Sequence, residues 1–378
     1  MKYTLTAATA LTLCAAPLFA GAIERAPQSL SVLFEDGNYV EFSTGRVSPE
    51  VSGRDVMGRA TGNVAKDYSF IGLAYKHQFN DQLSAALIVE QPFGADVVYP
   101  EGRSVMLGGT SAEVNSTTYT GLLRYKFNEN FGVHGGLRGS RADGDVTLSG
   151  AAYGQLSGYN VALDSSWGWG YVLGASWERP DIKARVSLTY NSPIEHDFDT
   201  TETLGGRALR PGETSTTVKT PRSWTLEGQT GVAKDTLVFG SVRWVKWSEF
   251  QVNPQALTCP QSLMPPCFGV SDGLVSLENT TTWTLGVGRK FTENWSGSVS
   301  FAYEAAGDKL VSPLSPTSGR KSISLAGIYT RDAWKVTAGM TYAKLGDADP
   351  ETGTPDVARA QMRDGDLLGV GLRVGYRF

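Results

Sequence analysis

Apolar and polar residues alternate along most of this 378-residue chain. The alternation is strictest at the end, where Leu368, Val370, Leu372, Val374, Tyr376 and Phe378 are separated by glycine or arginine. Residues 182–190 and 334–342 repeat the pattern. A period of two residues is typical of a β-strand with one apolar and one polar face. The chain is therefore predicted to be all-β.

Short and long connections alternate between the predicted strands. Tight polar turns lie at residues 80–82, 128–130, 179–181, 233–235, 292–294 and 331–333. Long polar or Gly/Pro-rich stretches lie at 54–65, 100–113, 150–164, 205–217, 251–277, 307–320 and 346–363. A soluble sandwich also alternates, but this sequence of connections is typical of an outer-membrane barrel. Aromatic residues flank the short turns, as an interfacial girdle does: Phe79, Phe127, Trp177, Phe291, Trp295, Tyr329 and Trp334.

These signals predict a transmembrane antiparallel β-barrel of about fourteen strands, forming one domain over residues 38–378. The expected strands are 38–53, 66–79, 83–99, 113–127, 131–149, 165–178, 182–204, 217–232, 236–250, 277–291, 295–306, 319–330, 334–345 and 364–378. An even count is usual for bacterial barrels. The terminal Phe378 is predicted to be recognised by the barrel assembly machinery.

The first residues predict export. Residues 1–22 read as a signal peptide, with basic Lys2, an apolar stretch and an Ala20-Gly21-Ala22 cleavage site. Cleavage before Ile23 is expected, and cleavage after Ala20 is the alternative. Residues 23–37 are predicted to form a short plug-like segment in the lumen, making apolar contacts through Leu30, Val32, Leu33 and Phe34. Alternatively, they merely lead into the first strand.

Composition narrows the chemistry. A formal net charge of −4 with 19% charged residues does not indicate a nucleic-acid partner. Cys259 and Cys267 are close together and flanked by prolines, which in an exported chain predicts a local disulfide. A metal pair is the alternative, but no histidine lies near, and we expect neither metal nor cofactor.

Catalysis is not indicated. The chain has three histidines, at 77, 134 and 196, and no G-x-S-x-G stretch of a serine hydrolase. Asp347 and Asp349 lack further ligands at calcium-loop spacing. The protein is therefore not expected to be an enzyme.

Several segments together resemble the FadL/TodX family of outer-membrane transporters for long-chain fatty acids and hydrocarbons. They are Q-P-F-G-A-D at 91–96, S-S-W-G-W-G-Y-V-L-G-A-S-W at 165–177, V-S-L-T-Y-N-S-P-I-E-H-D-F at 186–198, T-P-R-S-W-T-L-E-G at 220–228 and V-R-W-V-K-W-S-E-F at 242–250. The resemblance covers nearly all of the mature chain and implies a fourteen-stranded barrel. The chain departs from the family in its shorter N-terminal segment, so gating by a full plug is not implied.

The resemblance implies a function for a break in the third strand. In that family this strand is kinked inward and leaves a lateral window, and here Gln91, Pro92, Phe93 and Gly94 interrupt it. Proline cannot donate to the ladder and glycine has no side chain, so both weaken strand pairing. The alternative is a simple bulge that fits the strand to the barrel's curvature.

Ligand contacts are expected from Leu33, Phe34, Phe93, Val97, Trp167 and Trp169. Trp167 and Trp169 could instead belong to the upper interfacial girdle. The apolar loop 263–270 is either a capture surface or packing around the disulfide. The cation that would meet a carboxylate stays open among the inward positions Arg124, Lys126, His134, Arg138, Lys183, Arg185, Lys290 and Arg373.

Together these features predict a passive outer-membrane transporter for hydrophobic substrates, with long-chain fatty acids first and hydrocarbons next. The substrate would leave sideways into outer-membrane lipid. The alternative is a general diffusion porin or a structural barrel, which needs an unbroken wall.

Overall fold

The computed structural model describes residues 23–25, 28–259, 267–271, 273–353 and 355–378. The predicted signal peptide, residues 1–22, lies outside them. The chain forms one antiparallel barrel of fourteen strands, three of them interrupted. The strands are β1 (Tyr39–Asp55), β2 (Tyr68–Gln78), β3 (Leu83–Glu90 and Gly94–Val98), β4 (Ser111–Lys126), β5 (Phe131–Leu148), β6 (Tyr159–Arg179), β7 (Ala184–Asn191 and Ile194–Leu204), β8 (Thr214–Thr220 and Ser223–Ala233), β9 (Thr236–Val245), β10 (Thr280–Lys290), β11 (Trp295–Glu304), β12 (Arg320–Arg331), β13 (Trp334–Leu345) and β14 (Ala360–Arg377).

The barrel is closed by its first and last strands. Tyr39 lies opposite Lys76 of β2 on one side and opposite Arg377 of β14 on the other. A closed sheet has no free edge, which is the condition for crossing a bilayer with strands. The structure therefore confirms the predicted fold and strand number.

The tight connections all lie at one end, called here the short-turn end. Two of them are built alike: the Asn80 side chain accepts from the N–H groups of Gln82 and Leu83, both at 2.9 Å. Asn128 does the same for Asn130 and Phe131, also at 2.9 Å. Asparagine favours such turns because its side chain can replace a backbone acceptor.

The outer wall is apolar. Outward residues such as Leu285 and Leu137 are 64% and 67% exposed, as expected of side chains that face lipid. Phe378 is also exposed and stacks on Tyr376, with ring centroids 6.2 Å apart. Its recognition by the assembly machinery stays a prediction.

The opposite end, called here the long-loop end, carries the long connections and short pieces of helix. These helical pieces are Ala151–Leu156, Trp247–Glu249 and Gln255–Thr258, whereas Pro180–Ile182 lies at the short-turn end and Ser31–Phe34 lies in the lumen. The predicted disulfide between Cys259 and Cys267 is present, with Cα atoms 5.3 Å apart. Buried Glu202 fixes this loop by accepting from the N–H of Ala256 at 2.9 Å and from the Tyr159 hydroxyl at 2.7 Å.

Candidate functional site

The wall between β2 and β3 is interrupted. Their ladder runs from Gln78, opposite Ser84, to Leu73, opposite Val89, and then stops. Contact resumes only at an isolated bridge between Ala65 and Val97. Meanwhile β2 remains paired with β1 up to Tyr68. The strand that leaves the wall is therefore β3. The Lys66 N–H still donates to the Asp96 carbonyl at 3.1 Å, so we call the stretch between, residues 67–72 and 90–95, the gap.

The break has a different form on each side of β3. Towards β2 the register is the same above and below the gap, since both strands advance by eight residues between the two contacts. Towards β4, Glu90 lies opposite Thr118 but Gly94 lies opposite Asn115, so β3 has one residue more than its partner. An extra residue on one strand is a β-bulge. The bulge and the interrupted wall thus coexist at Gln91–Gly94.

Side chains replace part of the missing ladder. The Gln91 amide oxygen accepts from the backbone N–H of Ile71 across the gap at 3.2 Å. On the β4 side, the Ser116 hydroxyl accepts from the Phe93 N–H at 3.1 Å and donates to the Phe93 carbonyl at 2.6 Å. Gln91 therefore bridges the gap with one hydrogen bond, while Ser116 holds the displaced backbone inward.

The start of the described chain pairs with the kink from inside the lumen. The Arg25 N–H donates to the Pro92 carbonyl at 2.7 Å, and the Gly94 N–H donates to the Ile23 carbonyl at 2.8 Å. Glu24 and Phe93 face each other in this short antiparallel bridge. We call residues 23–25 the latch. Pro92, which has no N–H of its own, contributes its carbonyl instead.

Charges hold the latch in place. Glu24 is 3% exposed and forms an ion pair with buried Arg243 of β9, while the Gln28 amide donates to Glu24 at 3.0 Å. The Arg25 guanidinium lies 4.7 Å above the Tyr68 ring. It also crosses Gly94, where an added Cβ would lie 2.6 Å from its Cζ atom. Glycine at 94 therefore leaves room for the arginine.

The half of the lumen towards the long loops contains a large apolar cluster. Phe93 is 4% exposed and meets Trp247 edge-to-face, with ring centroids 6.2 Å apart. Inward residues of β5 to β9 continue this cluster, among them Val146, Val161, Leu163, Phe198, Val218 and Val245. We call it the upper lumen. It leads down to the kink.

The half towards the short turns is charged and filled, and we call it the lower lumen. The helical turn Ser31–Phe34 lies in it, and the predicted contacts Leu30, Val32, Leu33 and Phe34 are all buried. The Phe34 ring lies between the guanidinium groups of Arg124, at 4.6 Å, and Arg185, at 4.0 Å. The structure thus confirms the expected lumen segment.

Glu35 fixes the end of this segment to the wall. Its carbonyl accepts from the Lys76 ammonium, and its carboxylate pairs with Lys335 at 2.7 Å. Arg124 in turn pairs with Glu178. Wall charges therefore anchor the segment together with the apolar cluster that its buried residues form with Ala86, Ile88, Leu122 and Val172.

The predicted ligand residues do not form one site. Phe93 joins the upper lumen, whereas Val97 packs in a separate cluster with Val51, Tyr68 and Tyr99. Leu33 and Phe34 lie in the lower lumen. A cavity of about 40 Å³ next to Val97 and Tyr68 is too small for a ligand of ordinary size.

Trp167 and Trp169 lie elsewhere. Their side chains are 52% and 70% exposed on the outer wall and stack on each other and on Tyr119. This placement corrects the expected lumen contact and favours the interfacial girdle. Trp167 and Trp169 lie an even number of residues from the outward Leu173. The alternation of the strand therefore already indicated in the sequence that they face outward.

Sequence reasoning missed the latch. Glu24, Arg25, Arg243 and Ser116 were not singled out as site residues, because no local period links 23–25 to the third strand. In the apolar loop, residues 263–266 lie outside those described, while Phe268 and Val270 pack partly buried against the upper lumen.

Within the described ranges, no group of three His, Cys, Asp or Glu residues is placed to hold a metal ion. No helix in the same ranges is long and apolar enough to cross a membrane.

Comparison with known proteins adds the following. A protein-family model described as outer membrane protein transport protein (OMPP1/FadL/TodX) matches residues 14–378. The chain is 27% identical over 203 residues to the long-chain fatty acid transport protein of Escherichia coli O6:H1 (strain CFT073). That match covers 50% of this chain and 41% of the relative, so it spans less than half of the relative's length.

Two solved structures share the fold. The Pseudomonas aeruginosa FadL homologue superposes with a TM-score of 0.73 at 15% identity, covering 92% of both chains. The Pseudomonas putida toluene transporter TodX gives a TM-score of 0.64 at 13% identity, covering 91% of both. At this identity the likeness supports the barrel architecture only.

Proposed function

The chain belongs to the OMPP1/FadL/TodX family of outer membrane transport proteins for hydrophobic substrates, and from this premise we propose that it admits long-chain fatty acids by passive diffusion and releases them sideways through the gap. The observation that carries the proposal is the interrupted β2–β3 ladder at the lower boundary of the upper lumen. A break in the wall of a membrane barrel leaves backbone groups unpaired, which is costly in lipid. Such a cost is expected to serve a purpose.

The two halves of the lumen support this route. An apolar chain entering from the long-loop end meets the upper lumen first and can follow its apolar cluster to Phe93. Continuing straight down, it would have to pass the latch, then Phe34 and its flanking arginines. Moving a hydrocarbon chain into such a polar region gives no hydrophobic gain. The sideways path into lipid is the favourable one.

The structure is in a closed state for this route. Latch residues cover the kink from inside, and the Gln91 amide spans the gap. Opening requires the latch to leave Pro92 and Gly94 and the Gln91–Ile71 hydrogen bond to break. Substrate that fills the upper lumen beside Phe93 would compete with Ile23 for the same apolar contacts.

One cation near the kink is placed to bind a carboxylate. Arg138 of β5 is 3% exposed, and its Nη2 atom has no hydrogen-bond partner among the described residues. A buried, unsatisfied guanidinium nitrogen favours an anionic ligand group. Together with the name of the Escherichia coli relative, this favours fatty acids over neutral hydrocarbons such as the toluene named for TodX.

A general porin requires an open water path. Here Ser31–Phe34 and Glu35 occupy the lower lumen. Contacts with β2, β7 and β13 hold them to several sides of the barrel wall. The porin alternative is therefore the weaker proposal, and transport rather than catalysis is proposed because the family is one of transport proteins.

Uptake by a straightened variant tests the proposal. Gln91–Gly94 is replaced by Thr-Val-Thr-Val. This change allows β3 to pair with β2 through the gap, because the register of the two strands already agrees on both sides of it. Uptake of labelled long-chain fatty acid is measured in cells that lack their own transporter. Wild type should restore uptake and the folded, straightened variant should not.

A matched control removes another bulge. Deleting Asp164 removes the extra residue that β6 carries relative to β5 between the pairs Ala142–Ser166 and Gly144–Leu163, where the wall stays paired, and should leave uptake unchanged. Equal uptake by the straightened variant and wild type would refute lateral exit. If neither restores uptake, fatty acid is the wrong cargo.

A further inference from the structure

The outer wall carries a groove far from the gap. It lies across β10 to β13 towards the short turns and has a volume of about 760 Å³. Its floor consists of the small residues Gly297, Gly327 and Ala338, which lie side by side in register. Its walls are Val287, Val299, Leu325 and Met340. The groove is therefore an apolar depression that faces lipid.

A cation stands at the edge of the groove. Arg289 of β10 points outward beside Gly297. Among the described residues its guanidinium contacts the Thr236 hydroxyl at 3.4 Å and no carboxylate. An arginine on the lipid face of a barrel is unfavourable unless it lies near the interface and meets a polar partner. Phe291 and Trp295, which also line the groove, mark that interface.

The groove fits within the depth of one leaflet. From Trp295, opposite Tyr329, to the level of Leu325 the strand advances by four residues, or about 13 Å. Half of a hydrocarbon core is about 15 Å thick. Phe291 covers Gly297, because a Cβ placed there would lie 2.9 Å from its ring, whereas nothing lies within 4 Å of a Cβ at Gly327. The open floor is therefore formed by Gly327 and Ala338.

We propose that this groove is a binding site for one phospholipid of the periplasmic leaflet, with the phosphate on Arg289 and an acyl chain on Gly327 and Ala338, beside the Phe291 ring. The charge of the phosphate complements the one guanidinium, and the chain fills the depression. This site is independent of the transport route, since no residue of the gap lines it.

Lipid binding to the purified full chain tests the proposal. Delipidated protein in detergent is titrated with dioleoyl phosphatidylglycerol, and bound lipid is counted by native mass spectrometry. The probe without phosphate is dioleoylglycerol. Wild type should bind one phosphatidylglycerol, and R289Q should bind it about tenfold more weakly, as expected for one charge-assisted contact. Dioleoylglycerol should bind both proteins equally and weakly.

Two further variants locate the lipid. G327L fills the floor, and its side chain fits because no atom lies within 4 Å of a Cβ placed there; it should weaken binding several-fold. R331Q removes another cation of the same end, one already paired with Asp332 at 3.8 Å, and should bind like wild type. Equal binding by wild type and R289Q, or by the two lipids, would overturn the site. Unchanged binding by a folded G327L would overturn the placement of the chain.

Discussion

The upper and lower lumen differ in the side chains that line them. The upper lumen packs Phe93, Trp247 and Val161 without an intervening ion pair, whereas the lower lumen holds Phe34 between two arginines and ties Glu35 to two lysines. The gap lies where they meet. An apolar molecule can therefore pack in the upper lumen but meets charged side chains in the lower lumen. The β2–β3 ladder is interrupted at the height where the two regions meet.

Replacing one buried phenylalanine in each half by lysine should give the largest difference in fatty-acid uptake. Phe93→Lys places a cation in the apolar exit, where burying an unpaired charge costs several kcal/mol, so uptake should fall more than about tenfold. Phe34→Lys makes the same change in the lower lumen and should leave fatty-acid uptake nearly unchanged. Initial uptake rates, normalised to folded barrel in the outer membrane, provide the measurement. Equal losses in both variants would mean that the substrate passes both halves.

Releasing residues Ser31–Glu35 from the lower lumen should change the passage of ions and not the uptake of fatty acid. Lys76→Met with Lys335→Met removes the hydrogen bond to the Glu35 carbonyl and the 2.7 Å ion pair to its carboxylate, which then keeps, among the described residues, only Arg377, at 4.0 Å. The segment is destabilised because a buried charge that loses its best partner is unfavourable. Ion conductance in planar bilayers should rise about fivefold as the segment leaves the lumen. Fatty-acid uptake should stay as in wild type. Lys126→Met serves as the control, a cation of the same half that forms no hydrogen bond or ion pair with the described residues of the segment.

The latch should respond to its ion pair. Glu24→Gln leaves Arg243 buried and unpaired, so the latch should detach more often and uptake should rise about threefold. Exchanging the two charges, Glu24→Arg with Arg243→Glu, should bring the rate back towards wild type. Faster uptake that the exchange does not reverse would assign the effect to general loosening of the barrel.

The Gln91 bridge should give the smallest change. Gln91→Ala removes one hydrogen bond across the gap, worth about 1 kcal/mol. Uptake should rise by a factor of about two to three, measured at low substrate concentration. Gln82→Ala, in an exposed turn, should have no effect. A loss of uptake in Gln91→Ala would indicate that Gln91 guides the substrate instead of closing the gap.

The sequence predicted the strands of the barrel wall better than the contacts inside the lumen. Alternation from Leu368 to Phe378 and the asparagine turns gave the fourteen strands, because these signals are local. Pro92 and Gly94 marked the break for the same reason. What Gly94 accommodates could not be predicted, since Arg25 reaches it from a segment almost seventy residues earlier. Contacts between the N-terminal segment and the wall depend on side chains that meet across the lumen, and no periodicity encodes them.

The orientation of Trp167 and Trp169 was predictable in principle. They share a phase with Tyr171 and Leu173, which face outward on the same strand. Their place near a long loop suggested a ligand role, but the alternation of the strand determines the side they occupy.

Photo-crosslinking during transport tests lateral exit most directly. A fatty acid with a diazirine near its end is taken up by cells expressing the protein, illuminated, and its attachment sites are mapped by mass spectrometry. Lateral exit predicts labels on Phe93, Trp247 and the gap residues 67–72 and 90–95, with little on Ser31–Phe34. Labels concentrated around Phe34 and Arg124 would contradict it, because the substrate would then be passing through the lower lumen.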